Sequence, residues 1–243
     1  MWQLLIDGLS RVSDCHRQFS RFKNLDKTPN TGIIILGDVG ANYYGDSRDA
    51  ECKRHLNRVK PTVLCIHGNH EMRPNSIPTY KTKEWHGGLV WYEEDYPNLL
   101  FAKDGEIFDI EGINHLVVGG AYSVDKPYRV ARGYGWWEDE QPSDEIKAYV
   151  EAQIEKNCLD VILSHTCPLK YEPVEMFLSM IDQTTVDKST EIWLDSIEKR
   201  VKYKAWFCGH WHTNKRIDKM HFLYGDFECS SMLKEQEIID EKD

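Results

Sequence analysis

The sequence predicts an α/β fold in a single domain. Short β-branched runs recur between polar segments of helical length, two of those segments carry one-sided apolar spacing, and no repeat or Gly/Ser linker divides the 243 residues. The runs are "GIIIL" at 32–36, "TVLCI" at 62–66, "LVVGG" at 116–120, "DVILS" at 160–164 and "AWFCG" at 205–209. They are continuous rather than alternating, as expected of strands covered on both faces. The segment "SDEIKAYVEAQIEKN" opens on Ser143 as N-cap, puts Asp144 and Glu145 where the helix dipole favours negative charge, and spaces Ile146, Val150 and Ile154 along one face. "KSTEIWLDSIEKR" reads as a second amphipathic helix. Residues 73–100 and 121–142 are rich in aromatics and turn formers and are expected to be long loops capping a site. "KEQEIIDEKD" at 234–243 reads as an acidic tail, which leaves 1–233 as the domain.

Composition narrows the function. A hydrophobic share of 41% supports a real core. The net charge of -10 repels a phosphate backbone, so extended nucleic-acid binding is disfavoured and a phosphate substrate would need bound cations to meet it. Seven cysteines, odd in number and without a CxxC pair, indicate neither a disulfide framework nor a zinc ribbon and suit a reducing cytoplasm. The start "MWQLLIDGLS" lacks a basic leader region and no apolar run reaches membrane length, so the chain reads as soluble, cytoplasmic and without a membrane partner. Oligomeric state is left open.

The chemistry-bearing residues fall where the apolar runs stop. "RVS" leads into Asp14-Cys15-His16, "IIIL" into Gly37-Asp38, "VLCIH" into Gly68-Asn69-His70-Glu71, "VILS" into His165, and "WFC" into Gly209-His210-Trp211-His212. In an open α/β sheet, ligands gather at the carboxyl ends of the strands. Asp14 with His16, and His210 with His212, stand two residues apart, so in extended backbone each pair leaves the same face. Carboxylate, amide and imidazole without thiolate suit manganese, iron or zinc. The set exceeds what one tetrahedral ion uses, and two ions sharing a carboxylate fit the count.

These motifs, D-x-H, G-D, G-N-H-E, H and G-H-x-H in this order from Asp14 to His212, resemble those of the calcineurin-like metallophosphoesterase superfamily. Each alone is weak, whereas the ordered set is specific. The resemblance implies a β-sandwich of two mixed sheets flanked by helices. It implies a phosphoesterase acting through hydroxide held between two divalent ions, manganese first, with iron, zinc or nickel as alternatives. In that pattern Asp14, His16 and His212 hold one ion, Asn69, His165 and His210 the other, and Asp38 both. His70 protonates the leaving oxygen and Glu71 orients it. The substrate is a phosphate ester, a monoester in preference to the diester or nuclease reading, and a non-catalytic metal-binding scaffold is the alternative from another class.

Arg17 stands where the family commonly has glycine after D-x-H. "GDVGANYYGD" lacks the arginine of G-D-x-x-D-R-G, which argues against a protein phosphatase. Arg17, Arg73, Arg129 and Arg132 are the candidate phosphate-binding cations. His55, His67, His86, His115 and His221 lie outside the motifs and read as surface or hydrogen-bonded core histidines, and Cys15 and Cys208 as packed spacers. Trp136 and Trp137 suit either a substrate-stacking wall or a plug against the core.

Overall fold

The computed structural model describes residues 9–12, 17, 32–59, 61–225 and 228–229. The acidic tail expected at 234–243 lies outside them. In chain order the elements are β1 (Leu9–Val12), β2 (Gly32–Ile35), α1 (Ser47–Asn57), β3 (Thr62–Cys65), β4 (Lys81–Trp85), β5 (Gly88–Tyr92), β6 (Leu99–Ala102), β7 (Ile107–Ile110) and β8 (Ile113–Val118). There follow α2 (Lys126–Arg132), α3 (Asp144–Lys156), β9 (Val161–Ser164), α4 (Ser189–Glu198), β10 (Ala205–Cys208), β11 (Lys215–Ile217), β12 (Met220–Phe222) and β13 (Glu228–Cys229).

The strands form two mixed sheets. One runs β13-β1-β2-β3-β6-β5-β4 and the other β11-β12-β10-β9-β8-β7. The middle of each is parallel, in the registers Ile35↔Cys65 and Ser164↔Cys208, and the outer strands pair antiparallel. Period-two geometry explains why the predicted runs are apolar throughout. Ile34, Leu36, Leu64 and Ile66 of the first sheet meet Val117, Leu163, Ala205 and Phe207 of the second between the sheets. Their neighbours Ile33, Ile35, Val63 and Cys65 face outward onto Cys52 and Leu56 of α1. On the far side Leu116, Ile162 and Trp206 pack under Val150 of α3 and Leu194 and Ile197 of α4. Burying each large side chain contributes about 1.5–3 kcal/mol, so the sandwich is held from three layers at once.

The two helices expected from spacing form as Asp144–Lys156 and Ser189–Glu198, and Ser143 caps the first by accepting from Ile146 N–H at 3.3 Å. Residues 73–100 correct the sequence reading. They are not a long loop but carry β4 and β5, joined through His86 and Gly87, both at positive φ as a tight hairpin turn requires. Polar side chains on β4 hid this strand, since three of its five residues, Lys81, Thr82 and Glu84, are exposed. Residues 121–142 contain α2, ended by Gly133 in the left-handed conformation. Among the described residues no helix is long and apolar enough to cross a membrane.

Candidate metal centre and cleft

Parallel register brings the carboxyl ends of β2, β3, β9 and β10 to one edge of the sandwich. Two glycines let the loops from the two sheets close on each other there. At Gly37, φ +95°, an added Cβ would stand 2.1 Å from His165 Nδ1, and at Gly68 it would stand 2.2 Å from both the backbone nitrogen and Oδ1 of Asp38. No other residue fits either position, which gives the glycines of "GD" and "GN" a steric reason.

His165 is fully buried, with Nδ1 2.7 Å from the carbonyl of Leu36. A carbonyl only accepts, so Nδ1 donates and Nε2 is the nitrogen left to face the site. That Nε2 lies 2.8 Å from Asn69 Oδ1 and 3.6 Å from Asp38 Oδ1. The amide of Asn69 is fixed by donating through Nδ2 to Ser123 Oγ at 2.8 Å, which turns Oδ1 towards His165 and, at 3.1 Å, towards His210 Nδ1. Asp38 is also held from behind, its Oδ1 accepting from the backbone N–H of His70 at 2.9 Å.

Asn69 Oδ1 and His165 Nε2, two ligand-type atoms, therefore face one another beside Asp38, an arrangement that a cation fits. Donors bound to one ion at 2.0–2.2 Å are themselves about 3.0–3.4 Å apart, close to the spacings between these atoms. The residues present fit a divalent ion. Desolvation, then the neighbouring His165, pushes the His210 imidazole down to about 3, so at neutral pH its lone pair is open to a metal. Asp38, His210 and His212 hold φ values of 51°, 65° and 48°. Non-glycine residues in this region cost of order 1–3 kcal/mol each, strain that accumulates at functional sites.

Asp14 and His16 lie outside the described residues. The strand before them ends with Val12 paired to Ile35, at the edge that presents Asp38. Among the described residues no three His, Cys, Asp or Glu side chains close around one point, so the cradle includes the Asn69 amide. His212 is exposed and stacks on Tyr224, ring centroids 4.7 Å apart. His70 is partly exposed, with Nε2 3.9 Å from Asp125 Oδ1.

Glu71 departs from the role expected of it. Its carboxylate is fully buried, with Oε1 accepting from Gly68 N–H at 3.0 Å and Oε2 without a hydrogen-bond partner, so it ties down the loop backbone rather than the His70 ring. Burial, then the charge of Asp38, pushes its carboxyl up to about 8. The carboxylate facing His70 is that of Asp125, and neither it nor Ser123 is marked by any motif.

The four candidate arginines are engaged by the protein itself. Arg73 is buried in an ion pair with Asp104 and donates to the Asp139 carbonyl at 2.7 Å. Arg17 pairs with Asp49 at 3.6 Å, Arg129 is buried near Ser123 and Asp125, and Arg132 lies over the Tyr128 ring. None of the four lines the cleft at the site. Trp136 donates to Glu140 and Trp137 packs on Tyr43, so both tie down their own segment.

The cleft encloses about 370 Å³ and runs from Asp38, Asn69, His70, His210 and His212 to a wall of Phe177, Leu178, Ile181 and Val186, with Lys188 and Glu191 at its side. Sequence spacing did not mark this wall, because "PVEMFLSMI" at 173–181 follows neither a helical nor a strand period.

A model of the calcineurin-like phosphoesterase family matches residues 12–214. Among solved structures the chain is similar to TT1561 of Thermus thermophilus, at 13% identity over 92% of this chain and 98% of that one, with a TM-score of 0.52. It also overlaps a putative 5′-nucleotidase from Staphylococcus aureus at 10% identity and TM-score 0.38, over 89% of this chain and 48% of that one. With the NAD nucleotidase of Haemophilus influenzae the values are 14% and 0.40, over 89% and 41%. The chain thus spans all but a fraction of TT1561 and under half of either nucleotidase. No curated protein matches it in sequence.

Proposed function

The chain belongs to the calcineurin-like phosphoesterase family, and from that premise we propose that it is a cytoplasmic, dinuclear metal-dependent phosphomonoesterase that uses manganese. The observation that carries the proposal is Asn69 Oδ1, 2.8 Å from His165 Nε2 and 3.1 Å from His210 Nδ1, with Asp38 Oδ1 3.6 Å from the same His165 nitrogen. In this reading Asp14, His16 and His212 would hold one ion and Asn69, His165 and His210 the other, with Asp38 available to both. Bound divalent cations supply Lewis-acid charge for the phosphoryl oxygens and lower the pKa of coordinated water.

Hydrolysis forms a P–O bond from water, breaks the ester P–O bond and leaves an alkoxide that needs a proton. His70, on the cleft wall, is assigned to give that proton, with Asp125 facing its ring at 3.9 Å. Glu71 and Asp38 hold the loop that presents it, through the amides of Gly68 and His70. The monoester preference rests on the net charge of -10 and on a cleft sized for a small molecule rather than a polymer.

The test compares 4-nitrophenyl phosphate with bis(4-nitrophenyl) phosphate, using protein stripped of metal and then reloaded with manganese, zinc or nickel. Manganese-dependent hydrolysis with the monoester faster is expected. A faster diester would move the protein to the phosphodiesterase reading, and no turnover of either with two ions bound would leave the scaffold.

A further inference from the structure

The wall opposite the metal-binding edge is more apolar than phosphate chemistry requires. Val174, Met176, Leu178 and Met180 are exposed, at 67%, 39%, 56% and 86%, on a single stretch of the chain. Isolated exposed apolar residues need no explanation, but four on one short stretch, with Met176 and Leu178 lining the cleft, mark a binding surface. Phe177, between two of them, stacks on Trp211 at 5.8 Å and 29°. Trp211 is itself flanked by His210 and His212, so the apolar surface is continuous with the reaction centre.

Glu172, Gln183, Asp187, Lys188 and Glu191 also line the cleft, and Glu191 differs from the rest in its burial. Glu191 is 4% exposed, its Oε1 accepts from Thr166 Oγ1 at 2.8 Å, and its Oε2 has no hydrogen-bond partner. A buried oxygen left in this state is costly unless a ligand or water meets it. The enclosed volume of about 370 Å³ exceeds what a phosphoryl group fills and falls within the range of about 300–1,000 Å³ typical of sites for whole small molecules.

We propose that the wall formed by Phe177, Leu178, Ile181, Val186 and Trp211 seats the leaving group, so that the enzyme selects phosphate esters of alcohols bearing a flat, largely apolar ring whose N–H or O–H edge reaches Glu191. This rests on the phosphoesterase reading and goes beyond it by naming the substrate class. The occupant is the alcohol portion of the substrate because the wall and the metal-binding edge line one cleft.

The experiment measures kcat/KM for 2-(indol-3-yl)ethyl phosphate, its naphthyl counterpart and ethyl phosphate on manganese-loaded protein. The three leaving alcohols are similarly basic, so the ratios report the pocket rather than intrinsic reactivity. The indolyl ester should exceed ethyl phosphate by roughly 10-fold or more, the discrimination of about 10–200-fold that small apolar contacts give. The naphthyl ester, which lacks the N–H, should fall between. Phe177→Ala should bring the indolyl-to-ethyl ratio towards one. Calorimetry with the free alcohol, 2-(indol-3-yl)ethanol, should detect binding that Phe177→Ala and Leu178→Asp weaken. Equal kcat/KM for indolyl and ethyl esters, or a ratio that Phe177→Ala leaves intact, overturns the inference while the phosphoesterase reading stands. Equal rates for the indolyl and naphthyl esters overturn the part given to Glu191. Binding of the free alcohol without hydrolysis of any ester overturns the phosphoesterase reading instead.

Discussion

Gly37→Ala is the substitution whose effect can be followed furthest. The new Cβ would lie 2.1 Å from His165 Nδ1 and 2.8 Å from Cγ and Cε1 of the same ring. His165 is completely buried, its Nδ1 donates to Leu36 O at 2.7 Å and its Nε2 faces Asn69, so the ring has no free direction in which to turn. Reaching an ordinary contact requires it to retreat by about 1.3 Å or more, which breaks the bond to Leu36 and carries Nε2 off the donor cluster. Loss of a hydrogen bond that orients a metal-ligating histidine typically costs 10- to 100-fold in metal affinity, about 1.4–2.8 kcal/mol. Backbone strain adds about 1–2 kcal/mol for an alanine at positive φ. Gly87→Ala separates the two effects, since Gly87 has φ +82° and nothing within 4 Å of an added Cβ. Manganese titration by calorimetry is expected to show a 10- to 100-fold weaker site in Gly37→Ala and an unaltered one in Gly87→Ala, with both losing some thermal stability. Equal manganese affinity in Gly37→Ala and the parent would refute the view that His165 is held in place for a cation.

Three further outcomes follow from the same geometry. His70→Asn is expected to keep its metal content, read by plasma mass spectrometry, while kcat falls by about 10²–10⁴; parental turnover would contradict the proton-donor role. Burial holds the Glu191 carboxyl at about 7 against an ordinary 4.5, so the fold favours the protonated form; that stabilisation is complete below 4.5 and is lost as pH rises through 7. At roughly 1.4 kcal/mol per pH unit, Glu191→Gln should be more stable than the parent by up to roughly 3 kcal/mol at pH 9 and gain nothing at pH 4, with identical pH profiles of thermal unfolding as the contrary result. Arg73→Met should lose about 3–5 kcal/mol in urea unfolding, because it leaves the buried carboxylate of Asp104 without its ion pair; a loss below about 1 kcal/mol would show that the pair is not structural.

What the sequence made legible follows from how local each feature is. Strands buried on both faces leave continuous apolar runs, so β2, β3, β8, β9 and β10 could be read directly, and Asp38, Asn69, His165 and His210 stand at the ends of four of them. Helix α3 was legible because its cap, Ser143, and the first residue of its apolar face, Ile146, lie within one turn and the face then repeats every four residues. Helix α1 was not, since its buried face is Asp49, Cys52, Lys53 and Leu56, with polar residues where spacing alone would look for apolar ones. The partners that tune the site were hidden for the same reason. Ser123 reaches Asn69 across 54 positions of chain and Asp125 meets His70 from the loop after β8, contacts made by tertiary packing and marked by no motif. Glu71 follows His70 directly, yet its side chain turns to the amide of Gly68, a choice set by the tightness of the turn. Asp14 and His16, read from the sequence, lie outside the described residues.

Anomalous diffraction at the manganese edge from crystals grown with manganese tests the central claim most directly. Two peaks about 3.5–4 Å apart at the carboxyl ends of β2, β3, β9 and β10, with Asp38 touching both and Asn69, His165 and His210 around one, are the expected result. Peaks away from Asp38 and Asn69, or no ion bound at that edge, would contradict it.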